Sequence, residues 1–318
     1  MYSIDKKINI ILVGSGKAGN YHAKVLSSIK NVKIFGVMNS GKKDPIEFRN
    51  KYSINNWITD LGQISEKIDA FIIACSSEMT LNVIKLLSNQ NIPMLIEKPL
   101  GISSYESMQI LTFLKENDLN FVGFNRRFYS CVLEAQKYID YLGSPISIHI
   151  DAPEPLTSLI ERGRSEKKVS NRLLENTTHA LDILSLFFGE CIEVVNFNHN
   201  SKRNDIKIDY MSFIKFKNNK TASFISHWGS PGNWEVKFYG EDYQIKLNLT
   251  KNHGEINSKE LGKIKIIGDK DDQNFKLGIL KQNYYFLKSV INGKIAHSNL
   301  CILEDGHKNN KFAEKLMR

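Results

Sequence analysis

The sequence predicts an α/β protein with an N-terminal, doubly wound parallel sheet and a C-terminal α+β domain with a mostly antiparallel sheet. Three observations predict this fold. Apolar runs alternate with helical patterns up to about residue 124, which is typical of βαβ units. A G-x-G-x-x-G motif at Gly14–Gly19 follows the first apolar run. Beyond residue 190, short apolar runs follow at close spacing, which favours antiparallel pairing.

The length of 318 residues exceeds what one simple core usually supports, so two domains are expected. We place the first domain at residues 1–124 and the second at 125–318. The last two helical patterns are expected to pack back on the first domain.

Strands of the first domain are expected where apolar residues predominate, as in buried parallel strands. They are Ile8–Val13, Val32–Met38, Ala70–Ala74, Ile92–Ile96 and Phe121–Phe124. The helices between them are Tyr21–Ile29, Asp44–Tyr52, Met79–Leu87 and Ser103–Asn117. Asp44 is the expected N-cap of the second helix, with Pro45 at its first position, and Ser103 and Glu106 form an expected capping box.

The second domain begins with a helix and a strand, continues with a long polar segment and a second helix, and then becomes strand-rich. The elements are helix Val132–Tyr141, strand Ile146–Ile150, segment Asp151–Asn171 and helix Glu175–Phe188. The later strands are Ile192–Asn198, Ile206–Lys217, Thr221–Trp228, Trp234–Tyr239 and Tyr243–Leu249, and the last helices are Leu277–Asn292 and Gly306–Met317. The polar segment is long enough to suggest a functional role, such as covering a substrate.

Composition and residue spacing argue against nucleic-acid binding, a membrane span and a metal site. The net charge is +9, but the 43 basic residues are spread along the chain among 34 acidic ones, so nucleic-acid binding is not expected. No apolar run approaches the roughly 20 residues that span a membrane. The four cysteines are scattered, with no C-x-x-C pair and no zinc-ligand spacing, so we expect no metal and a cytoplasmic location.

The glycine motif predicts a dinucleotide site, because it follows a predicted strand and opens a predicted helix. Gly14 allows a tight turn, Gly16 lets the backbone approach a pyrophosphate, and Gly19 allows close helix packing. The free N–H groups of a helix N-terminus attract phosphate. The predicted cofactor residues are Gly14, Ser15, Gly16, Lys17, Ala18, Gly19, Asn39, Ser40, Lys42, Cys75, Ser76, Glu97 and Lys98.

The end of the second strand bears on the choice between NAD and NADP. An acid here would hold the ribose 2′-hydroxyl of NAD, whereas Asn39 is uncharged and would not repel a 2′-phosphate. Ser40, Lys42 and Lys43 could bind that phosphate, which mildly favours NADP. Alternatively, the two lysines belong to an ordinary solvated turn.

Glu97-Lys98-Pro99 follows the predicted strand Ile92–Ile96. Ligands of doubly wound folds bind at the carboxyl edge of the sheet, which is where this motif is expected. An amine can give and take a proton once its surroundings lower its pKa, so Lys98 is a candidate catalyst.

The chain resembles the Gfo/Idh/MocA oxidoreductases. The resemblance rests on the glycine loop, Glu97–Pro99, the run Gly123–Phe128 and the helix-borne run Glu175–Asp182. It implies an N-terminal Rossmann domain and a C-terminal domain whose large, open, mostly antiparallel sheet forms oligomer interfaces. It also implies that Lys98 lies beside the nicotinamide and the reacting oxygen, often with a cis bond to Pro99.

His179 matches the histidine of these oxidoreductases that takes the hydroxyl proton, a role suited to imidazole near neutral pH. Many relatives carry an aspartate four residues earlier, where this chain has Glu175. Glu175 either orients His179 or complements the helix dipole. Asp182, one turn later, either fixes the tautomer of His179 or packs elsewhere. The predicted catalytic residues are Lys98, His179 and Glu175.

Arg126 and Arg127 could bind a carboxylate or phosphate of a substrate, but an interdomain salt bridge is the favoured interpretation. The predicted substrate-binding residues are Lys98, Asn125, Arg127, Asn176 and His179.

The resulting hypothesis is an NAD(P)-dependent oxidoreductase that transfers hydride between nicotinamide and a ring carbon of a sugar, cyclic polyol or nucleotide-activated sugar. A role in surface-polysaccharide synthesis is conceivable by analogy with relatives. We expect a small-molecule carbohydrate partner and a homodimer or homotetramer, without membrane or nucleic acid. The alternatives are a non-catalytic NAD(P) sensor on the same fold and a reductase of a non-sugar carbonyl or imine.

Overall fold

The computed structural model describes residues 2–39, 43–64, 66–114, 119–156, 161, 173–197, 202–203, 206–207 and 209–317. The chain divides into two compact units. The first unit comprises residues 1–125 and 271–307, and the second comprises residues 126–270 and 308–318. Of the C-terminal segments, residues 271–307 thus belong to the unit that carries the glycine motif.

The first unit is built on a parallel sheet. Numbered in chain order, its strands are β1 Ser3–Val13, β2 Lys30–Met38, β3 Asn56–Ile58, β4 Ala70–Ile73, β5 Met94–Ile96, β6 Phe121–Val122 and β17 Cys301–Ile302. In the described residues these seven strands lie in the order β17-β6-β5-β4-β1-β2-β3. All neighbours pair in parallel except β17, which is antiparallel to β6. The order reverses between β1 and β4, the switch point where doubly wound sheets bind ligands.

Helices connect and cover these strands. They are α1 Lys17–Leu26, α2 Ile46–Lys51, α3 Ser77–Leu87, α4 Ser104–Leu114, α7 Asp271–Asn274 and α8 Ile279–Asn292. The central strand β4 is buried along its whole length. α1 buries the face that carries His22, Ala23 and Leu26. The apolar runs therefore form strands that are covered on both sides, as the sequence predicts for a parallel sheet.

The second unit carries the antiparallel sheet. Its main strands are β7 Ser147–Asp151, β8 Cys191–Asn196, β11 Asp209–Phe216, β12 Thr221–His227, β13 Glu235–Gly240, β14 Tyr243–Asn248, β15 His253–Ser258 and β16 Gly262–Ile266. Among the described residues these eight strands follow the order β16-β15-β14-β13-β7-β12-β11-β8. Only β7 and β12 pair in parallel there. A separate ribbon pairs β9 Lys202–Arg203 with β10 Ile206–Lys207.

Helix α5, Ser130–Leu142, and helix α6, Thr178–Phe188, belong to the second unit, and α9, Leu303–Met317, runs across the boundary between the units. A π turn at Leu173–Thr177 leads into α6. Side chains alternate along the sheet, so that Ile148 and Ile150 are buried while intervening residues lie on the other face. The predicted fold class, a doubly wound parallel sheet plus an α+β domain with a mostly antiparallel sheet, is confirmed.

One local prediction differs from the structure. Asp44 is not the N-cap of α2, because that position is held by Pro45. The Asp44 carboxylate instead accepts a 2.7 Å hydrogen bond from Nε of Arg49 and a second bond from Nη2. A bidentate, charge-assisted pair outweighs a single capping bond, and it lowers the pKa of Asp44. In the predicted capping box, Glu106 N–H donates to Ser103 Oγ, and the Glu106 carboxylate accepts from Ile102 N–H.

Candidate functional site

The glycine loop lies at the carboxyl end of β1 and leads into α1. Gly14 has φ +108°, and a Cβ on it would lie 2.5 Å from the Ala74 carbonyl oxygen. A Cβ on Gly19 would lie 2.1 Å from the Gly14 oxygen, so both positions require glycine for packing. Gly16 differs, since no atom lies within 4 Å of the Cβ it would carry. The space above Gly16, the N-cap of α1, is open.

A cleft of about 580 Å³ opens beside this loop. Its lining includes six of the predicted cofactor residues: Gly14, Ser15, Gly16, Asn39, Cys75 and Ser76. Lys17, Ala18 and Gly19 form the first turn of α1 next to it. Ser40 and Lys42 lie outside the described residues, as does most of the segment 151–171. The other wall is an apolar face of α3 that includes Met79, Val83 and Leu86.

The residues of the cleft fit a dinucleotide. The first turn of α1 contains no acidic residue, so its free N–H groups face no competing negative charge. Burial raises the pKa of the Cys75 thiol, which keeps this wall of the cleft uncharged. The open space at Gly16 is where a pyrophosphate needs close backbone approach.

Paired glycine variants separate folding from nucleotide binding. We expect Gly16→Ala to leave the melting temperature near the parental value but to weaken NADH binding at least about tenfold, because its methyl group enters the open space. Gly14→Ala is the contrasting variant, and its steric clash and positive φ should cost about 1–3 kcal/mol of folding free energy. Thermal unfolding and NADH fluorescence titration measure both effects. Parental NADH affinity in Gly16→Ala would contradict a phosphate site at this loop.

Lys98 follows β5 at the same carboxyl edge of the sheet. The peptide bond between Lys98 and Pro99 is cis, as the resemblance implies. The preceding residue is held to the neighbouring strand, because Glu97 N–H donates to the Ile73 carbonyl at 2.8 Å. Lys98 therefore directly follows a residue that is hydrogen-bonded to the sheet.

In the second unit, His179 lies in the first turn of α6 and is 5% exposed. Glu175 lies four residues earlier, inside the π turn rather than in the α-helix. π turns within helices are frequent at functional sites. Asn176 and Thr177 of this turn bind a buried carboxylate, which fixes the segment that leads to His179.

That carboxylate belongs to Glu154, which the sequence analysis did not select. Glu154 is 1% exposed, and its Oε1 accepts from Asn176 Nδ2 at 2.5 Å and from Thr177 Oγ1 at 3.0 Å. Its backbone forms a parallel bridge with Trp228. A glutamate between two prolines carries no periodic signal, and its partners lie 22 and 23 residues away. Only the tertiary structure reveals it.

Arg127 and Asp182 form a buried ion pair within the second unit. Arg127 Nε lies 2.9 Å from both carboxylate oxygens of Asp182, and Nη2 lies 2.6 Å from Oδ1. The two side chains are 3% and 0% exposed. Asn309 Nδ2 also donates to Asp182 at 2.8 Å. Arg127 therefore forms a salt bridge, but this pair lies within the second unit and does not join two domains as expected. Asp182 packs against Arg127 and Asn309.

Two other predicted residues also have partners within their own units. Asn125 Nδ2 donates to the Leu277 carbonyl at 2.7 Å. The Arg126 guanidinium lies 3.6 Å from the ring centroid of Trp234, whose Nε1 donates to the Pro153 carbonyl. Trp234 is thus packed by its own unit on one face.

The described residues contain neither a candidate membrane span nor a candidate metal site. None of the helices there is long and apolar enough to cross a membrane. No group of three or more His, Cys, Asp or Glu side chains in the same part of the chain is arranged to hold a metal ion.

Comparison with known proteins gives a family for the first unit. Residues 8–124 match the model of an oxidoreductase family with an NAD-binding Rossmann fold. This segment belongs to the Gfo/Idh/MocA family. It contains the glycine loop, the cleft and Lys98. No curated protein matches the sequence.

Solved structures resemble this chain over nearly its whole length. A UDP-N-acetylglucosamine 3-dehydrogenase from Acidithiobacillus ferrooxidans is 14% identical with a TM-score of 0.81, covering 99% of this chain and 97% of that one. Levoglucosan dehydrogenase in complex with NADH is 16% identical with a TM-score of 0.83, covering 98% and 96%. Apo scyllo-inositol dehydrogenase from Lactobacillus casei is 19% identical with a TM-score of 0.78, covering 99% and 96%. At these identities the similarity establishes the fold.

Proposed function

We propose that this chain is an NAD(P)-dependent dehydrogenase that acts on a ring hydroxyl group of a sugar, cyclic polyol or nucleotide-activated sugar. One observation carries the proposal: a lysine at a cis peptide bond and an open glycine loop lie on the same carboxyl edge of one parallel sheet. The first supplies a cation for a reacting oxygen, and the second supplies a site for a dinucleotide.

Bound nicotinamide would supply the hydride acceptor or donor, held by the residues of the cleft. Lys98 would stabilise the negative charge that develops on the substrate oxygen as the carbonyl forms. His179 would accept the hydroxyl proton in oxidation and return it in reduction. Glu175 would orient His179 from the preceding π turn. Asn176, already held by Glu154, would bind a substrate hydroxyl group through its amide oxygen.

The substrate class is supported by three structural relatives whose names specify UDP-N-acetylglucosamine, levoglucosan and scyllo-inositol. All three compounds present ring hydroxyl groups.

The same three compounds therefore form the test panel. Purified protein is mixed with each compound and with NAD⁺ or NADP⁺, and reduced nicotinamide is followed by absorbance. Turnover with at least one compound supports the proposal.

The competing function is a non-catalytic sensor that binds the nucleotide and a sugar without chemistry. Calorimetry on the same panel distinguishes the two functions. Binding of nucleotide and sugar without any reduced nicotinamide would favour the sensor over the dehydrogenase.

We also propose a preference for NADP, supported by the neutral Asn39 at the end of β2. Asn39→Asp is expected to raise the ratio of the NADP⁺ to the NAD⁺ dissociation constant about tenfold, because the new carboxylate repels a 2′-phosphate. Asn82→Asp is the matched control, since Asn82 lines the same cleft on α3. That variant should leave the ratio unchanged. Equal ratios in both variants would contradict a 2′-phosphate position at Asn39.

The proposed assembly is a homodimer or homotetramer formed through the open sheet of the second unit. Support comes from exposed apolar side chains on neighbouring strands of one face: Val195 on β8 is 44% exposed, and Met211 and Phe213 on β11 are 39% and 53% exposed. The proposed location is the cytoplasm, which fits four described cysteines that form no disulfide.

A further inference from the structure

A fully buried histidine lies behind the Glu97–Lys98 segment. His22, on α1, is 0% exposed. Its Nε2 lies 3.0 Å from Oε1 of Glu97, and its Nδ1 lies 3.1 Å from Oδ1 of Asn283 on α8. The three side chains come from α1, α8 and the end of β5, all within the first unit. The proposed mechanism assigns no role to His22 or to Asn283.

Hydrogen bonding determines which ring nitrogen of His22 donates. Asn283 Nδ2 donates to the Ile279 carbonyl at 2.8 Å, which turns its Oδ1 towards His22. An amide oxygen only accepts, so His22 Nδ1 carries a proton. The other ring nitrogen, Nε2, faces Oε1 of Glu97, so a hydrogen bond joins the buried imidazole to this carboxyl group.

The same glutamate is held on two further sides. Its backbone N–H is bonded to β4, as described above. Gly123, just after β6, leaves room for it, because a Cβ there would lie 3.2 Å from Glu97 Cα and 3.3 Å from Oε1. The backbone that enters the cis Lys98–Pro99 bond is therefore fixed by a neighbouring strand, a helix-borne histidine and a glycine.

We propose that His22, held by Asn283, is a positioning residue for Lys98: it fixes the Glu97 carboxylate and thereby the direction in which the lysine leaves the sheet. The inference rests on the proposed function, in which Lys98 meets the reacting oxygen. His22 does not contact substrate in this proposal. It acts through Glu97, as a partner that orients a neighbour of a catalytic group.

The first test observes Lys98 without turnover. The full-length protein is reductively methylated with ¹³C, and the Lys98 signal is assigned by its loss in Lys98→Arg. His22→Ala should move the Lys98 resonance, and His22→Gln, which retains a donor for Glu97, should restore much of its position. Val25→Ala is the control, because Val25 is a buried residue of the same helix whose side chain has no polar group. An unmoved Lys98 resonance in His22→Ala overturns the proposal.

The second test uses the panel compound that the parent oxidises. His22→Ala should lower kcat about 10–100-fold, since small displacements of a catalytic group carry costs of that size. NADH affinity should stay near the parental value, and His22→Gln should recover part of kcat. A loss no larger than in Val25→Ala would make His22 merely structural and overturn the proposal. If the parent oxidises no compound while the Lys98 resonance still moves, the positioning role stands and the proposed function fails.

Discussion

Lys98→Ala is expected to lower turnover about 10²–10³-fold, the usual cost of removing a group that stabilises a developing oxyanion. Nucleotide affinity should change less than about twofold, because Lys98 would contribute mainly in the transition state. Turnover and nucleotide affinity should respond differently because of where Lys98 lies. Lys98 comes after β5, whereas the cleft is lined by the ends of β1, β2 and β4 and by α3. Initial rates with the panel compound that the parent oxidises measure turnover. Fluorescence titration with NADH measures nucleotide affinity.

Two variants control for charge. Lys98→Arg keeps a cation but changes its shape and hydrogen-bonding geometry, so it should recover only part of the activity. Lys85→Ala removes a lysine from α3, where the ammonium group lies over the Phe113 ring, and it should leave kcat unchanged. Parental kcat in Lys98→Ala would remove the lysine from the mechanism.

The parallel sheet could be predicted because its signals are local. Each buried strand is rich in apolar residues, Gly14 has the positive φ of a tight turn, and Gly19 is required by a backbone contact with Gly14 in the same strand–helix unit. Short-range chemistry of this kind is readable from one sequence. For the same reason six of the predicted cofactor residues line one cleft.

Strands β15 and β16 were not predicted because they bury few residues. Along β15 only Ile256 and Ser258 are buried, and β16 buries only Ile266. Apart from Ile264, the remaining positions carry lysines, glycines and polar residues, which have low strand propensity. Pairing with the more apolar β14 determines their conformation. Tertiary context therefore outweighs local preference at this end of the sheet.

The polar part of the site was harder to predict for another reason. Asp44 followed a capping rule in the sequence, yet a nearby arginine offered a stronger partner. Glu154 and the Arg127–Asp182 pair depend on contacts across more than 20 residues, for which a single sequence carries no periodicity. His22 reads as an ordinary helix residue until α8 and β5 are placed around it. Residue types can suggest chemistry, but partners of buried charges come from the fold.

The ion pair of Arg127 and Asp182 should be the most sensitive point for stability in the second unit. Asp182→Ala leaves the Arg127 guanidinium buried without that carboxylate, which typically costs about 3–5 kcal/mol. The pair joins the turn after β6 to α6, the helix that carries His179, so unfolding of this unit should shift to lower denaturant concentration. Urea unfolding followed by tryptophan fluorescence measures the shift, since Trp228 and Trp234 lie in this unit and Trp57 in the other.

Replacing both partners tests why Asp182→Ala loses stability. The loss comes either from an uncompensated buried charge or from disrupted packing. Arg127→Met combined with Asp182→Leu removes both charges and should regain most of the lost stability, because apolar side chains of similar size often replace a buried pair without loss. The double variant should remain about 1–3 kcal/mol less stable than the parental protein, since Asn309 loses the acceptor that Asp182 provides. Glu134→Ala breaks the exposed pair with Lys137 and should cost less than about 1 kcal/mol. A double variant as unstable as Asp182→Ala would show that packing, rather than an uncompensated arginine, determines the loss.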